Sequence, residues 1–252
     1  MPESGGRLPP IEILEPIATL AYVAALTSTI KLATSVIVVP YRNAIHLAKE
    51  LATLDRLSSG RVVAGVASGW LEAEFRALGV SFEKRGAYTD EAIALMRAAW
   101  SSAVPEFHGE FFNLEGMRFG PRPAAGNIPI WVGGTSRRAI RRAVELGDGW
   151  HGTRMNPDQV AERIGWIREL AAARGPLDGF TISHRVYLGF APKWTETGGY
   201  VEGILAPPAE LADYLNRFAA IGVDEILISP LTTDPLAKFL GRFDTEVRPK
   251  LA

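Results

Sequence analysis

Short apolar runs alternate with amphipathic runs along the whole chain, and this alternation constrains the fold more than any other feature. Six runs read as strands: "KLATSVIVVP", "RVVAGVA", "PIWV", "DGWHG", "FTISHRVYLGF" and "DEILIS". Each is followed by a helical pattern, and one further helix, Pro16 to Thr27, stands in front of the first strand. Strict strand–helix alternation needs crossover connections, so it specifies an α/β fold with a parallel sheet covered by helices. "SVIVV" is apolar on both faces, as a strand covered on both sides must be. Two architectures satisfy the pattern, an open doubly wound sheet and a closed eight-stranded barrel. The leading helix is the odd element. A helix that begins such a series normally follows a strand, so the chain reads as starting in the middle of a unit.

Local signals set the expected boundaries. Asn43 caps a helix to about Leu57, and "LSSG" ends it with Gly60 past the last turn. "LEAEFRALG" is a short helical insertion, and Thr89 caps a longer helix through Trp100. Residues 101–128 carry too much Gly, Pro and aromatic for a helix and read as irregular or hairpin-like. A helix follows from Arg137 to Leu146. Asn156-Pro157 starts the next, which runs to about Ala173. Residues 191–206 read as a long loop, followed by a helix from Pro208 to Ala220 and a last one from Pro235. No linker interrupts the series, so residues 1–252 are expected to form a single domain.

Composition removes several function classes. Lys plus Arg is 27 against 28 Asp plus Glu, so no net field draws the chain to nucleic acid or an anionic membrane. There is no cysteine, which excludes disulfides, thiolate catalysis and Cys-based metal sites. The four histidines show no metal-ligand spacing, so no metal is expected. "MPESGGRLPP" is not a signal peptide and no apolar run reaches spanning length, which leaves a cytoplasmic location as the expectation.

"PIWVGGTSRRAI", residues 129–140, carries the first chemical question. A strand ending on Gly133-Gly134, then two hydroxyls, then a basic helix is either a tight turn with an N-cap or an anion cradle of backbone N–H groups. Both readings stand on the residues alone.

Five stretches together resemble the luciferase-like monooxygenase superfamily, in its coenzyme F420-dependent oxidoreductase branch. They are "PIATLAYVAALTSTIKLATSVIVVPYRN", "LAKELATLDRLSSGRVVAGVASGWLEAEFRALGV", "FHGEFFNLEGMRFGPRP", "PIWVGGTSRRAIRRAVELGDGWH" and "GVDEILI". The resemblance implies a (β/α)8 TIM-barrel fold, and the leading helix corresponds to the family's second helix. The barrel is then incomplete: its first strand, first helix and second strand have no counterpart, and "SVIVV" becomes an apolar edge. Because "GGRLPP" resembles the family's loop after the second strand, a start codon assigned too late is the expected cause. An in-frame stop just before Met1 would rule that out.

The resemblance also implies a site. The Ser35-Val36 step matches a bulge with a non-proline cis peptide that presses against the back of the flavin-like ring. Ala67, Ser68 and Gly69 fall where the family contacts the cofactor, and Gly133, Gly134, Thr135 and Ser136 where it holds the phosphate, with Arg137-Arg138 beside it. Trp70 and Arg154 are candidate substrate contacts; Trp70 equally suits packing under the "LEAEFRALG" insertion. His151 and Trp70 are weak catalytic candidates, His151 as a proton donor or as a structural hydrogen-bonding group. Glu72 and Glu74 read as a solvated helix face sooner than as an acid–base pair. Tyr41 and Arg42 face the same mouth, and Lys193, Trp194 and Gly198-Gly199 form a candidate lid. The family's usual proton-handling residue lies on the absent second strand. The implied function is F420-dependent hydride transfer to or from a small organic substrate, in a homodimer. The alternatives are an FMN-dependent monooxygenase and a non-catalytic flavin-binding remnant.

Overall fold

The computed structural model describes residues 13–198 and 203–251. In chain order these form α1 (Pro16–Leu26), β1 (Leu32–Ala33), β2 (Ile37–Val38), α2 (Ala44–Leu57), β3 (Val62–Ala67), α3 (Glu72–Leu78) and α4 (Arg85–Ser101). A small hairpin of β4 (Phe107–His108) and β5 (Asn113–Leu114) follows, then β6 (Ile130–Gly133), α5 (Arg137–Leu146), β7 (Gly149–Thr153) and α6 (Pro157–Arg174). The chain continues with β8 (Thr181–Phe190), β9 (Thr195–Thr197), β10 (Gly203–Ala206), α7 (Pro208–Ile221), β11 (Glu225–Pro230) and α8 (Leu236–Arg242). "GGRLPP" and Gly199 lie outside the described residues.

The main sheet runs β1/β2, β3, β6, β7, β8, with every neighbour parallel. On the far side of β8, β11 pairs with Ser183–Leu188, and on the near side, beyond the end of β7, β10 pairs with Leu188–Phe190. The sheet curls into a partial TIM-type barrel. Its two ends meet through side chains: Lys31, just before β1, pairs with Glu225 at the start of β11 at 2.6 Å. Among the described residues no backbone ladder joins these edges, so the described sheet is a partial barrel.

Helices cover the outside through one-sided apolar faces. α2 buries Ala44, Leu47, Ala48, Leu51, Ala52 and Leu54, and Trp100 of α4 donates its indole N–H to the Ala48 carbonyl at 2.9 Å. Asn43 accepts from the N–H groups of Ile45 and His46, satisfying donors that a helix start leaves bare. Asn156 and Gln159 form a reciprocal capping box, with Pro157 in the first turn. Arg61 binds the carbonyls of Ala24, Thr27 and Ile30, fixing the end of α1 against the start of the sheet.

Two local expectations are corrected. α4 begins at Arg85, and Thr89 sits inside it with its hydroxyl donating to the Arg85 carbonyl at 2.7 Å. A threonine before an apolar run offers the same hydroxyl to a cap or to the preceding turn, and here the preceding turn takes it. The stretch 191–206 is not all loop: β9 and β10 are antiparallel to each other, and β10 extends the sheet beside β8. The hairpin-like reading of 101–128 holds, as do Gly60 beyond α2, at φ +82°, and the boundaries of α5.

Candidate cofactor site

The strand ends that open the barrel mouth bring together residues from β1 to β8. Between Ala33 and Ile37 the first strand leaves the ladder, and the Ser35–Val36 peptide is cis, as the resemblance implied. β3 makes room for this bulge with Gly65. A Cβ there would lie 1.8 Å from the Thr34 carbonyl oxygen, and the Thr34 hydroxyl donates to the Gly65 carbonyl at 2.8 Å. Val36 turns over the glycine-lined floor, 3.2 Å from where a Cβ on Gly133 would be. The bulge and the glycine loop therefore share one floor.

A chain of hydrogen bonds crosses the interior behind Ser35. Its hydroxyl lies 2.7 Å from Nε2 of His151, whose Nδ1 lies 2.7 Å from the hydroxyl of Ser183. Ser183 in turn donates to the Trp150 carbonyl at 3.4 Å. That direction makes His151 Nδ1 the donor to Ser183 and leaves Nε2 to accept from Ser35. From the opposite wall, Arg185 donates through Nη1 to the Ser35 carbonyl at 3.0 Å and through Nε to Ser229 at 2.7 Å. The bulge has removed the Ser35 carbonyl from the strand ladder, so a side-chain donor must satisfy it.

Burial lowers the His151 pKa to about 4, with the neighbouring His184 and Arg185 adding to the effect. A neutral imidazole with both nitrogens committed orients Ser35 and has no proton to give at neutral pH. His184, on the other face of β8, is equally buried and also held near 4. Its Nε2 donates to the Met155 carbonyl, its ring stacks on Phe218 of α7, and its Nδ1 lies against Gly152 with no partner among the described residues.

At the glycine loop the ordinary turn features are present. Ser136 caps α5 by accepting from the Ala139 N–H at 3.3 Å, and Gly134 holds φ +130° with Ala139 packed where its side chain would be. Trp150 donates to the Gly134 carbonyl at 2.8 Å, which fixes that peptide's orientation. Among the described residues the N–H groups of Thr135 and Ser136 have no protein acceptor, and both residues are exposed. A helix N-terminus with bare N–H groups remains able to hold an anion. Arg137 is turned away, onto Glu169 at 2.9 Å and the Trp166 ring, while Arg138 is exposed. Arg142 pairs with Asp90.

The remaining candidates separate. Ala67 ends β3 at the mouth and Ser68 follows it, its hydroxyl buried with no partner among the described residues. Gly69 adopts φ +82°, and a Cβ there would strike Val38 and Phe75, so local packing already requires a glycine. Phe75, not Trp70, fills the space under α3; Trp70 is 59% exposed. Glu72 pairs with Arg76 along the helix and Glu74 accepts from Tyr41, as a solvated face would. Arg42 pairs with Glu15, the N-cap of α1, and with Glu50 of α2. Arg154, at φ +56°, lines a cleft of about 560 Å³ with Trp194, while Lys193 is exposed. Sequence reasoning missed Ser183, Arg185 and Thr153, whose hydroxyl is a second buried orphan. Alternation within "ISHRVYL" was the available signal, since it sets Ser183 and Arg185 on one face and His184 and Val186 on the other.

Residues 1–197 match the family model described as luciferase-like monooxygenase. The chain belongs to the luciferase-like monooxygenase family. An uncharacterized protein of Mycobacterium tuberculosis (strain ATCC 25618 / H37Rv) is 33% identical over 218 residues, covering 82% of this chain and 76% of that one. An FMNH(2)-dependent dimethylsulfone monooxygenase of Pseudomonas fluorescens (strain Pf0-1) is 33% identical over 153 residues, 59% of this chain and 41% of that protein. Among solved structures, the coenzyme F420 dependent tetrahydromethanopterin reductase from Methanopyrus kandleri superposes with a TM-score of 0.82 over 95% of this chain and 88% of that one. At 18% identity this last likeness concerns the fold alone, a TIM-type α/β barrel. Among the described residues no helix is long and apolar enough to cross a membrane, and no cluster of side chains could hold a metal ion.

Proposed function

We propose that this luciferase-like chain is an F420-dependent oxidoreductase that moves hydride to or from a small organic molecule, an alcohol, an aldehyde or an activated alkene. The observation that carries the reading is the shared floor at the mouth: Val36 of the bulge rests on Gly133, the first residue of the glycine loop. A flat ring backed by Val36 would therefore have its side chain directed along that floor past Gly134 to the bare N–H groups of Thr135 and Ser136. The residues present fit such a group. Gly133 lets Val36 settle against the loop, the α5 N-terminus favours a phosphate, and among the described residues the buried hydroxyls of Ser68 and Thr153 have no hydrogen-bond partner. A bound deazaflavin supplies the hydride chemistry at its C5. The protein's own part is to hold and orient: Ser35 is committed to His151, so the bulge presents Val36 and not a free hydroxyl to the ring.

A second reading, an FMN-dependent monooxygenase, is favoured by the similarity to the dimethylsulfone enzyme. Both cofactors carry a phosphate, so the loop suits either. Titrating the purified protein separately with F420, FMN and reduced FMN, followed by fluorescence and absorbance, decides between them. F420 is expected to bind at least about tenfold more tightly than either form of FMN, a difference of about 1.4 kcal/mol. Tighter binding of reduced FMN, with oxygen uptake, would replace the first reading with the second. Binding of neither would leave a non-catalytic remnant.

The same proposal includes a cytoplasmic homodimer. α1 and α2 border an apolar groove and expose Tyr22, Leu26 and Leu57, a surface suited to a second copy of the chain. Light scattering is expected to give twice the 27.3 kDa chain mass, and a monomer at micromolar concentration would remove this part.

A further inference from the structure

We infer that Arg185 is an anion-recognising residue of the cleft beside the upper half of β8, and that the substrate therefore carries a carboxylate or phosphate group. The inference rests on the functional reading above and names the substrate class of its site. β7 ends at Thr153, opposite Arg185, and β10 joins the same side of β8 only from Leu188 onward, which leaves a gap between the two strands. The space is bounded by the turn Arg154–Gln159, by Arg185 and Tyr187, by Trp194 and Glu196, and by Tyr214 and Arg217 of α7.

Arg185 spends two of its five N–H groups on Ser229 and Ser35, and its guanidinium lies 4.7 Å from the Tyr187 ring centre. Among the described residues no carboxylate comes within ion-pair distance of it. An arginine stays charged at any ordinary pH, and a half-buried guanidinium with no counter-ion is costly unless a ligand supplies one. The neutral acceptors Ser229 and Ser35 fix its plane without neutralising it. That leaves three N–H groups in the fork geometry that matches a carboxylate or phosphate. The charges around the cleft agree. Arg217 and Asp158 of the lining pair with each other at 3.4 Å, and among the described residues neither Asp158 nor Glu196 forms an ion pair with Arg185. His184 and His151, nearest to the guanidinium's strand, are held neutral and leave its charge as the local field.

The test reads Arg185 directly in the unmodified protein. Its Nε–Hε resonance, assigned by its disappearance in Arg185→Gln, is followed during titration with inorganic phosphate and separately with succinate, at ionic strength held constant with chloride. A saturable shift is expected for both anions, with affinity at least about tenfold weaker in Arg185→Gln measured by calorimetry. A resonance that does not move, or moves no more than with chloride, overturns the assignment. Because Arg185→Gln also releases the Ser35 carbonyl, Arg217→Gln provides a variant that leaves the bulge untouched, and it is expected to keep the Arg185 shift. Repeating the titration on protein saturated with F420 or FMN separates the two sources of anion. A persisting shift assigns the site to substrate, whereas its loss gives Arg185 to the cofactor phosphate and overturns the substrate class. A chain that binds neither flavin would remove the functional reading while the anion titration still reports on Arg185.

Discussion

Acidifying the protein from pH 7 toward pH 4.5 is expected to remove several kcal/mol of stability before most carboxylates have titrated. His151 and His184 are both buried, and each has its pKa lowered to about 4. Loss of solvation is the largest cause in both. An unfolded histidine titrates near 6.5. Below that pH the unfolded chain binds protons that the native state refuses, so stability is full above about 6.5 and falls as the pH drops toward 4. One such group spans about 2.5 pH units at about 1.4 kcal/mol each, or about 3.5 kcal/mol, and the pair at most about twice that. Urea unfolding at pH 7, 6, 5 and 4.5 measures the slope. His184→Gln keeps an N–H donor for the Met155 carbonyl and removes one titrating group, so it is expected to be weaker at pH 7 and about half as pH-dependent. A wild-type midpoint that stays flat between pH 7 and 5 would show that these imidazoles are not held neutral by the fold.

The same two histidines show how far residues alone could go. Helix caps were legible because their bonds are local: Asn43 reaches two and three residues ahead, and Asn156 three. Thr89 misled for the same reason, since its hydroxyl had a local competitor in the Arg85 carbonyl. β10 was invisible because four residues after a glycine-rich stretch become a strand only when β8 is beside them. The interior chain was hidden more deeply. The His151–Ser183 contact joins residues 32 apart and the Arg185–Ser35 contact residues 150 apart, so no window of sequence contains them. The bulge itself was reached by resemblance and not by periodicity, which read "KLATSVIVVP" as one continuous strand. What alternation could supply was facing: it put Arg185 on the face opposite His184, and the curl of the sheet then aimed that face at Ser35.

Gly65→Ala and Gly165→Ala are the same chemical change and are expected to move stability in opposite directions. Gly165 lies exposed in the middle of α6, with nothing within 4 Å of the place a methyl group would take. Alanine there restricts the unfolded chain and suits a helix, for a gain of about 0.5–1 kcal/mol. Gly65 is buried in β3, and its new methyl would fall 1.8 Å from the Thr34 carbonyl oxygen and 2.9 Å from the Thr34 carbonyl carbon. These are backbone atoms, held by the bonds from the Thr34 N–H to Val63 and from the Thr34 hydroxyl to Gly65 itself. No side-chain rotation can relieve the overlap, so the bulge must move. Overpacking of a well-filled interior costs about 1–3 kcal/mol, and a backbone collision belongs at or beyond the upper end. For a chain of this size about 3 kcal/mol corresponds to a melting temperature lower by roughly 6–12 °C. Displacing Thr34 also displaces Val36 from Gly133, so F420 or FMN affinity should fall by more than the stability loss alone implies at a temperature where the variant is folded. Thermal unfolding of both variants, with flavin titration of the folded Gly65→Ala protein, checks each part. A Gly65→Ala protein that melts with the wild type and binds flavin equally would mean that the bulge does not depend on this glycine, and that the floor it shares with Gly133 is not what orients the ring.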